Sequence, residues 1–145
     1  MHDARMSLSI RSYDGLDRVH THEFHQVVLP VIGAMRSRIG EAVGAIEQSN
    51  AALIVGGTPH EGYVLGENRF LVFDVPRANF LPERVVARAA TAPYFEIDEP
   101  LEHLARYVAC EAASGPLGDR LVHHASALLA HSIGGKFASV ERRSP

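Results

Sequence analysis

Between residues 6 and 76 the chain is a series of short apolar or alternating runs, closed by turn residues at roughly ten-residue intervals. Runs such as Val27-Val28-Leu29 are rich in β-branched residues. Apolar residues do not recur at helical spacing anywhere in this half. That punctuation suggests a β-sandwich or barrel. Strands are expected over 6–13, 19–22, 27–29, 35–39, 42–46, 51–55, 63–65 and 69–75. Asp14-Gly15, Gly40-Glu41 and Gly66-Glu67-Asn68 supply turns between them.

Past Pro76 the pattern changes. Residues 77–88 read as a basic, irregular connector, and 94–97 as one more strand. Leu101, Leu104, Val108 and Ala112 then recur at helical spacing, with Asp98 placed to cap and Pro100 in the first turn. Ser114-Gly115-Pro116 breaks that helix and starts another. The second has Leu117, Leu121, Val122, Ala125, Leu128 and Leu129 as its stripe, and Gly134-Gly135 as its stop. The expected organisation is α+β: a β unit over 1–97, two antiparallel helices over 98–135 and a tail over 136–145. So small a helical pair must bury its stripes on the β unit, on a second copy of the chain, or on both.

Composition removes several functions. A net charge of −3 gives no basic face with which this chain alone could hold nucleic acid. The first six residues are polar and charged, and the longest apolar run, 27–35, is too short to span a bilayer, so no secretory signal or membrane segment is expected. Cys110 is the single cysteine, which excludes an intrachain disulfide and fits a cytoplasmic protein. It lies near the apolar face of its helix and is expected to be buried.

Chemistry gathers in the stretch from Gly15 to Gly33, which holds His20, His22 and Gln26, and in Gly57-Thr58-Pro59-His60. With nine histidines in the chain, a His-x-His pair is expected roughly half a time by chance. The added Gln26, Gly33 and Gly57-x-x-His60 make the combination rare. In one strand, His20 and His22 project from the same face about 6–7 Å apart, but Gln26 would stand roughly 20 Å from His20. The chain must therefore turn back at Glu23-Phe24-His25, with Gln26 opening the neighbouring antiparallel strand. His25 is expected to be solvated, and His123, His124 and His131, two helical turns apart, are too spread for one ion.

His20-x-His22-x-x-x-Gln26-x6-Gly33 followed by Gly57-x-x-His60 resembles the two motifs of the cupin superfamily, over about residues 15–75. The resemblance implies a jelly-roll (double-stranded β-helix) barrel with a divalent metal held inside by His20, His22, Gln26 and His60. Three departures stand out: Gln26 replaces a glutamate, four residues rather than five separate Gly15 from His20, and Val55 stands in place of a proline. The chain is similar more closely to the amino-terminal sensor domains of AraC-type transcription regulators, through Gly57-Thr58-Pro59-His60 and the run Phe70-Leu71-Val72-Phe73-Asp74-Val75-Pro76. That resemblance implies a small-molecule effector in the barrel, a homodimer through the two helices, and DNA contact only through a further domain that this chain does not hold.

Three imidazoles and an amide carbonyl suit zinc, nickel, manganese or iron. The same four side chains could instead bond each other or an organic effector. No dedicated general acid or base accompanies them, because Glu23 and Glu61 each adjoin a site residue and are expected to point away. No catalytic residue is assigned, and the set reads as a binding site. The alternative is a freestanding metal-dependent cupin enzyme of the dioxygenase or isomerase type.

Overall fold

In the computed structural model, which describes residues 6–77 and 81–142 and side chains as far as Phe137, the alternating first half forms one antiparallel sheet. Its strands are β1 (Ser7–Arg11), β2 (Leu16–His20), β3 (His25–Ile32), β4 (Ala34–Ile39), β5 (Ala42–Glu47), β6 (Asn50–Ile54), β7 (His60–Val64) and β8 (Arg69–Val75). They lie in the order β1-β8-β3-β6-β5-β4-β7-β2, and β9 (Tyr94–Glu96) pairs with β6. Residues 1–5 of the polar start, 78–80 of the expected connector and 143–145 of the expected tail lie outside the described residues.

Strand β3 and its neighbour β8 explain the curl. Both are buried on both faces, hence their unbroken apolar runs. Val27 and Leu29, with Leu71, Phe73 and Val75, enter an outer cluster that the helices cover. Val28, Phe70 and Val72 enter an inner one. That inner cluster also takes Met35 and Ile39 from β4, Ile46 from β5, Ile54 from β6 and Val64 from β7. Strands from near both ends of the order share one interior, so the sheet must roll on itself. The result is the jelly-roll barrel of the cupin kind, with helices behind it. Gly33, the closing glycine of the first motif, turns at φ 79°, and a Cβ there would stand 2.3 Å from the Glu67 carbonyl oxygen.

The helices pack on the outer face of the barrel. Leu101, Ala105 and Val108 of α2 (Glu99–Ser114) and Ala125, Leu129, Ile133 and Phe137 of α3 (Asp119–Arg142) are buried there. Asp98 caps α2 as expected, its Oδ1 accepting from the Leu101 N–H at 3.0 Å. Asp98 Oδ2 also meets Lys136 Nζ, near the end of α3, at 3.0 Å, which shows the two helices to be antiparallel. The Lys136 bond and then the Leu101 bond hold the Asp98 carboxyl below its ordinary pKa.

Four expectations about this half are corrected. The connector holds a helix, α1 (Glu83–Thr91), whose Val85 and Ala89 continue from Leu81 at four-residue spacing onto the outer cluster. Helix α3 runs through Gly134-Gly135, because Ile133 and Phe137 extend its stripe and the Phe137 ring packs on Phe95, centroids 5.6 Å apart. Cys110 is exposed: it lies two positions past Val108, about 200° round the helix from the buried row. Leu128, expected in the stripe of α3, is exposed as well. Among the described residues, no helix is long and apolar enough to cross a membrane.

Candidate metal centre

His20 and His60 face each other across the β2–β7 pair, directly opposite in register, and their ring centroids lie 4.2 Å apart. His22 follows the end of β2. Its carbonyl accepts from the Gly57 N–H at 2.7 Å, and its ring stacks on Phe24 at 4.7 Å. From there it reaches the other two, 4.7 Å from the His20 ring and 5.1 Å from the His60 ring. One ring nitrogen from each of the three histidines falls within 4.8 Å of the others. Thus the two motifs, forty residues apart in sequence, meet at one point.

Gln26 is reached by a different route from the one expected. The chain bends at Glu23-Phe24, but β3 does not pair with β2; it lies between β6 and β8. The bend carries the chain across the barrel to its other wall, as the rolled sheet requires. Gln26 then lines the cavity that His20, His22 and His60 also line. Its side chain is oriented by Asp74, its partner in the β3–β8 register, whose Oδ1 accepts from Gln26 Nε2 at 2.9 Å. A carboxylate can only accept, so this contact fixes the amide orientation and leaves Oε1 as the remaining Gln26 acceptor. Asp74 is held in turn by Arg11, 3.0 Å from Oδ2.

His25 belongs to the opposite face. It is buried, contrary to expectation, because β3 is covered on both sides. Its Nδ1 accepts from the Gly56 N–H at 2.9 Å, which leaves the neutral ring its proton on Nε2. Gly56 has no room for a side chain here, since a Cβ would stand 2.3 Å from the Glu23 carbonyl oxygen. His25 therefore clips the two motif loops together and stands apart from the cluster. His123, His124 and His131 are all exposed on α3.

His20 and His60 hold the tautomer opposite to His25's. His60 Nδ1 lies 3.0 Å from the Thr58 carbonyl oxygen, and His20 Nδ1 lies 2.7 Å from that of Arg18. A carbonyl can only accept, so both rings carry a proton on Nδ1, and in the neutral form each presents a bare Nε2. His60 Nε2 is buried and has no hydrogen-bond partner. A buried lone pair without a donor is costly, and a metal ion satisfies it. Burial, and then the neighbouring His20 and His60, push the pKa of His22 below 6.5. Burial does the same to His60, against the Thr58 bond. Neutral imidazole is the form a metal needs.

These residues fit a divalent ion. Ligand nitrogens about 2.0–2.1 Å from zinc stand roughly 3–3.4 Å from each other, so the widest separation here would close by at most about 1.8 Å on binding. The backbone bonds to His20 and His60 are of the kind that orient metal-bound histidines from behind. Around the cluster, Val28, Met35, Ile39, Ile46 and Ile54 wall a cavity of about 190 Å³, below the usual range of drug-sized sites and suited to an ion with a small ligand. Two larger depressions, of about 930 and 610 Å³, lie outside the barrel against the helices and hold none of the three clustered histidines.

No family model and no curated protein matches this chain. Among solved structures it is similar to an RmlC-like cupin from Shewanella frigidimarina NCIMB 400, at 16% identity over 55% of this chain and 75% of that one, TM-score 0.47. It is similar also to KdgF from Halomonas sp., at 20% identity over 56% and 78%, TM-score 0.45. The oxalate decarboxylase of Bacillus subtilis, a protein with Mn(II) centres, matches at 15% identity over 77% of this chain and 29% of that one, TM-score 0.44. By its own strand order and rolled interior, the chain is a jelly-roll barrel carrying a three-histidine cluster.

Proposed function

We propose that the chain is the ligand-sensing and dimerisation domain of a cytoplasmic AraC-type transcription regulator. A divalent metal held by His20, His22, His60 and the Gln26 carbonyl anchors a small-molecule effector within the barrel. The observation that carries the metal reading is the pair of bare Nε2 lone pairs on His20 and His60, each fixed by a backbone carbonyl behind it. The bound ion supplies a Lewis-acid position to which an effector oxygen or nitrogen can bind. The protein supplies the aliphatic wall beyond it, so a compact ligand with one polar end and one apolar end suits the cavity.

The sensing role draws its support from the packing of the helices. Leu101, Ala105 and Val108 sit on the outer side of strands β3 and β8, whose inner sides carry Gln26 and Asp74. A change of barrel shape on effector binding therefore reaches α2 and α3 through one strand thickness. An effector shifts the arrangement of attached DNA-binding domains only by its difference in affinity between two states. Tyr107 on α2 and Leu128 on α3 are exposed large apolar side chains and suit a contact with a second copy.

Two measurements test these assignments. Protein purified without nickel resin is expected to carry close to one divalent ion per chain, and His20→Ala and His60→Ala at least about tenfold less. Equal and negligible metal in all three samples defeats the metal reading. Independently, sedimentation velocity at micromolar concentration is expected to show a dimer, and a monomer alone defeats the dimerisation role.

A further inference from the structure

Three neutral imidazoles and an amide leave a divalent ion with its full double charge. A bulge in β2 brings up what they lack. Asp17 and His20 are three residues apart, a spacing that puts side chains on opposite faces of a regular strand. The β2–β7 register breaks between them, pairing Asp17 with Gly62 but His20 with His60. A bulge re-aims side chains in this way, and here it brings Asp17 to the His20 side. Asp17 Oδ2 stands 4.0 Å from His20 Nε2, the nitrogen left bare by the Arg18 bond. A cation between them satisfies both atoms, whether a proton on Nε2 or a metal ion. Asp17 also lines the cavity that His20, His22 and His60 line.

We propose that Asp17 is the anionic ligand of the metal site, binding the ion beside His20 and supplying the charge that Gln26 does not. The inference rests on the metal reading above. Asp17 is 40% exposed at its side chain, so its replacement leaves the barrel core untouched.

The test measures Zn²⁺ affinity of the metal-free protein by competition with a chromophoric chelator, and the visible spectrum of the Co²⁺ form, for the wild type, Asp17→Asn, Asp17→Glu and His60→Ala. Asp17→Asn is expected to bind Zn²⁺ roughly tenfold or more weakly, with a changed Co²⁺ spectrum, while Asp17→Glu keeps most of the affinity. Should asparagine at the bulge prevent folding, Asp17→Ser takes its place. Wild-type affinity and spectrum in Asp17→Asn would overturn the proposal alone and make Asp17 an ion-pair partner of His20 only. No Zn²⁺ binding by the wild type, or undiminished binding by His60→Ala, would overturn the metal reading and this inference together.

Discussion

Gln26→Glu, which restores the residue of the cupin pattern, will destabilise the barrel by roughly 3 kcal/mol instead of improving its metal site. Gln26 is 5% exposed, and its Nε2 donates to Asp74 Oδ1 at 2.9 Å. A glutamate can make no such donation while ionised, so two acceptors would face each other across the β3–β8 pair. Arg11, 3.0 Å from the far oxygen of Asp74, offsets one of the two charges. The other must stay buried and unpaired or take up a proton, and each course costs stability. Urea unfolding at neutral pH should show a clear drop in midpoint for Gln26→Glu. The double variant Gln26→Glu/Asp74→Asn should recover most of it, since asparagine can donate to the new carboxylate. A single variant as stable as the wild type would show that Asp74 does not dictate the amide.

The same pair marks the limit of what the residue order discloses. Alternation, or a short apolar run between turn residues, located the nine strands of the described residues to within a few positions, because a strand writes its pleat or its two-sided burial into the chain. Asp98 and Pro100 announced the start of α2 for an equally local reason. The two-piece histidine pattern announced that His20, His22 and His60 meet. Long-range pairing left weaker marks. That Asp74 faces Gln26 follows from the β3–β8 register, although an acid in the apolar run 70–75 was a clue to it. That Asp17 joins His20 follows from a bulge, and no residue type signals one here. His25 is buried against expectation because a strand covered on both faces buries polar residues of either parity. The stripe Leu81, Val85 and Ala89 was legible at helical spacing, with Glu83 in the first turn and Arg88 in the last. Only three apolar positions carry it, too few to stand out from the basic, irregular sequence around them.

Acid will weaken the metal-free protein through its histidines well before its carboxylates. His22, His25 and His60 all have folded-state pKa values pushed below 6.5, chiefly by burial. For His25 the Arg77 charge adds to that effect. The unfolded chain therefore binds more protons than the folded one once the pH drops below 6.5. The stability these rings contribute is complete above that value and is lost as the pH falls through their folded pKa values. Asp98, held below 3.8, adds a separate loss at lower pH, in the same direction. With a chelator present, the urea midpoint should hold steady from pH 8 to 7 and decline from about pH 6.5 downwards. Zinc should move only part of that decline. It competes with protons for the ring nitrogens of His22 and His60, whereas His25 Nδ1 is occupied by the Gly56 N–H. Saturating Zn²⁺ should therefore carry the cluster's share to lower pH and leave the share of His25 in place. A midpoint unchanged from pH 7 to 5 in chelator would refute the histidine origin. A decline abolished entirely by zinc would assign it to the cluster alone and remove His25 from the account.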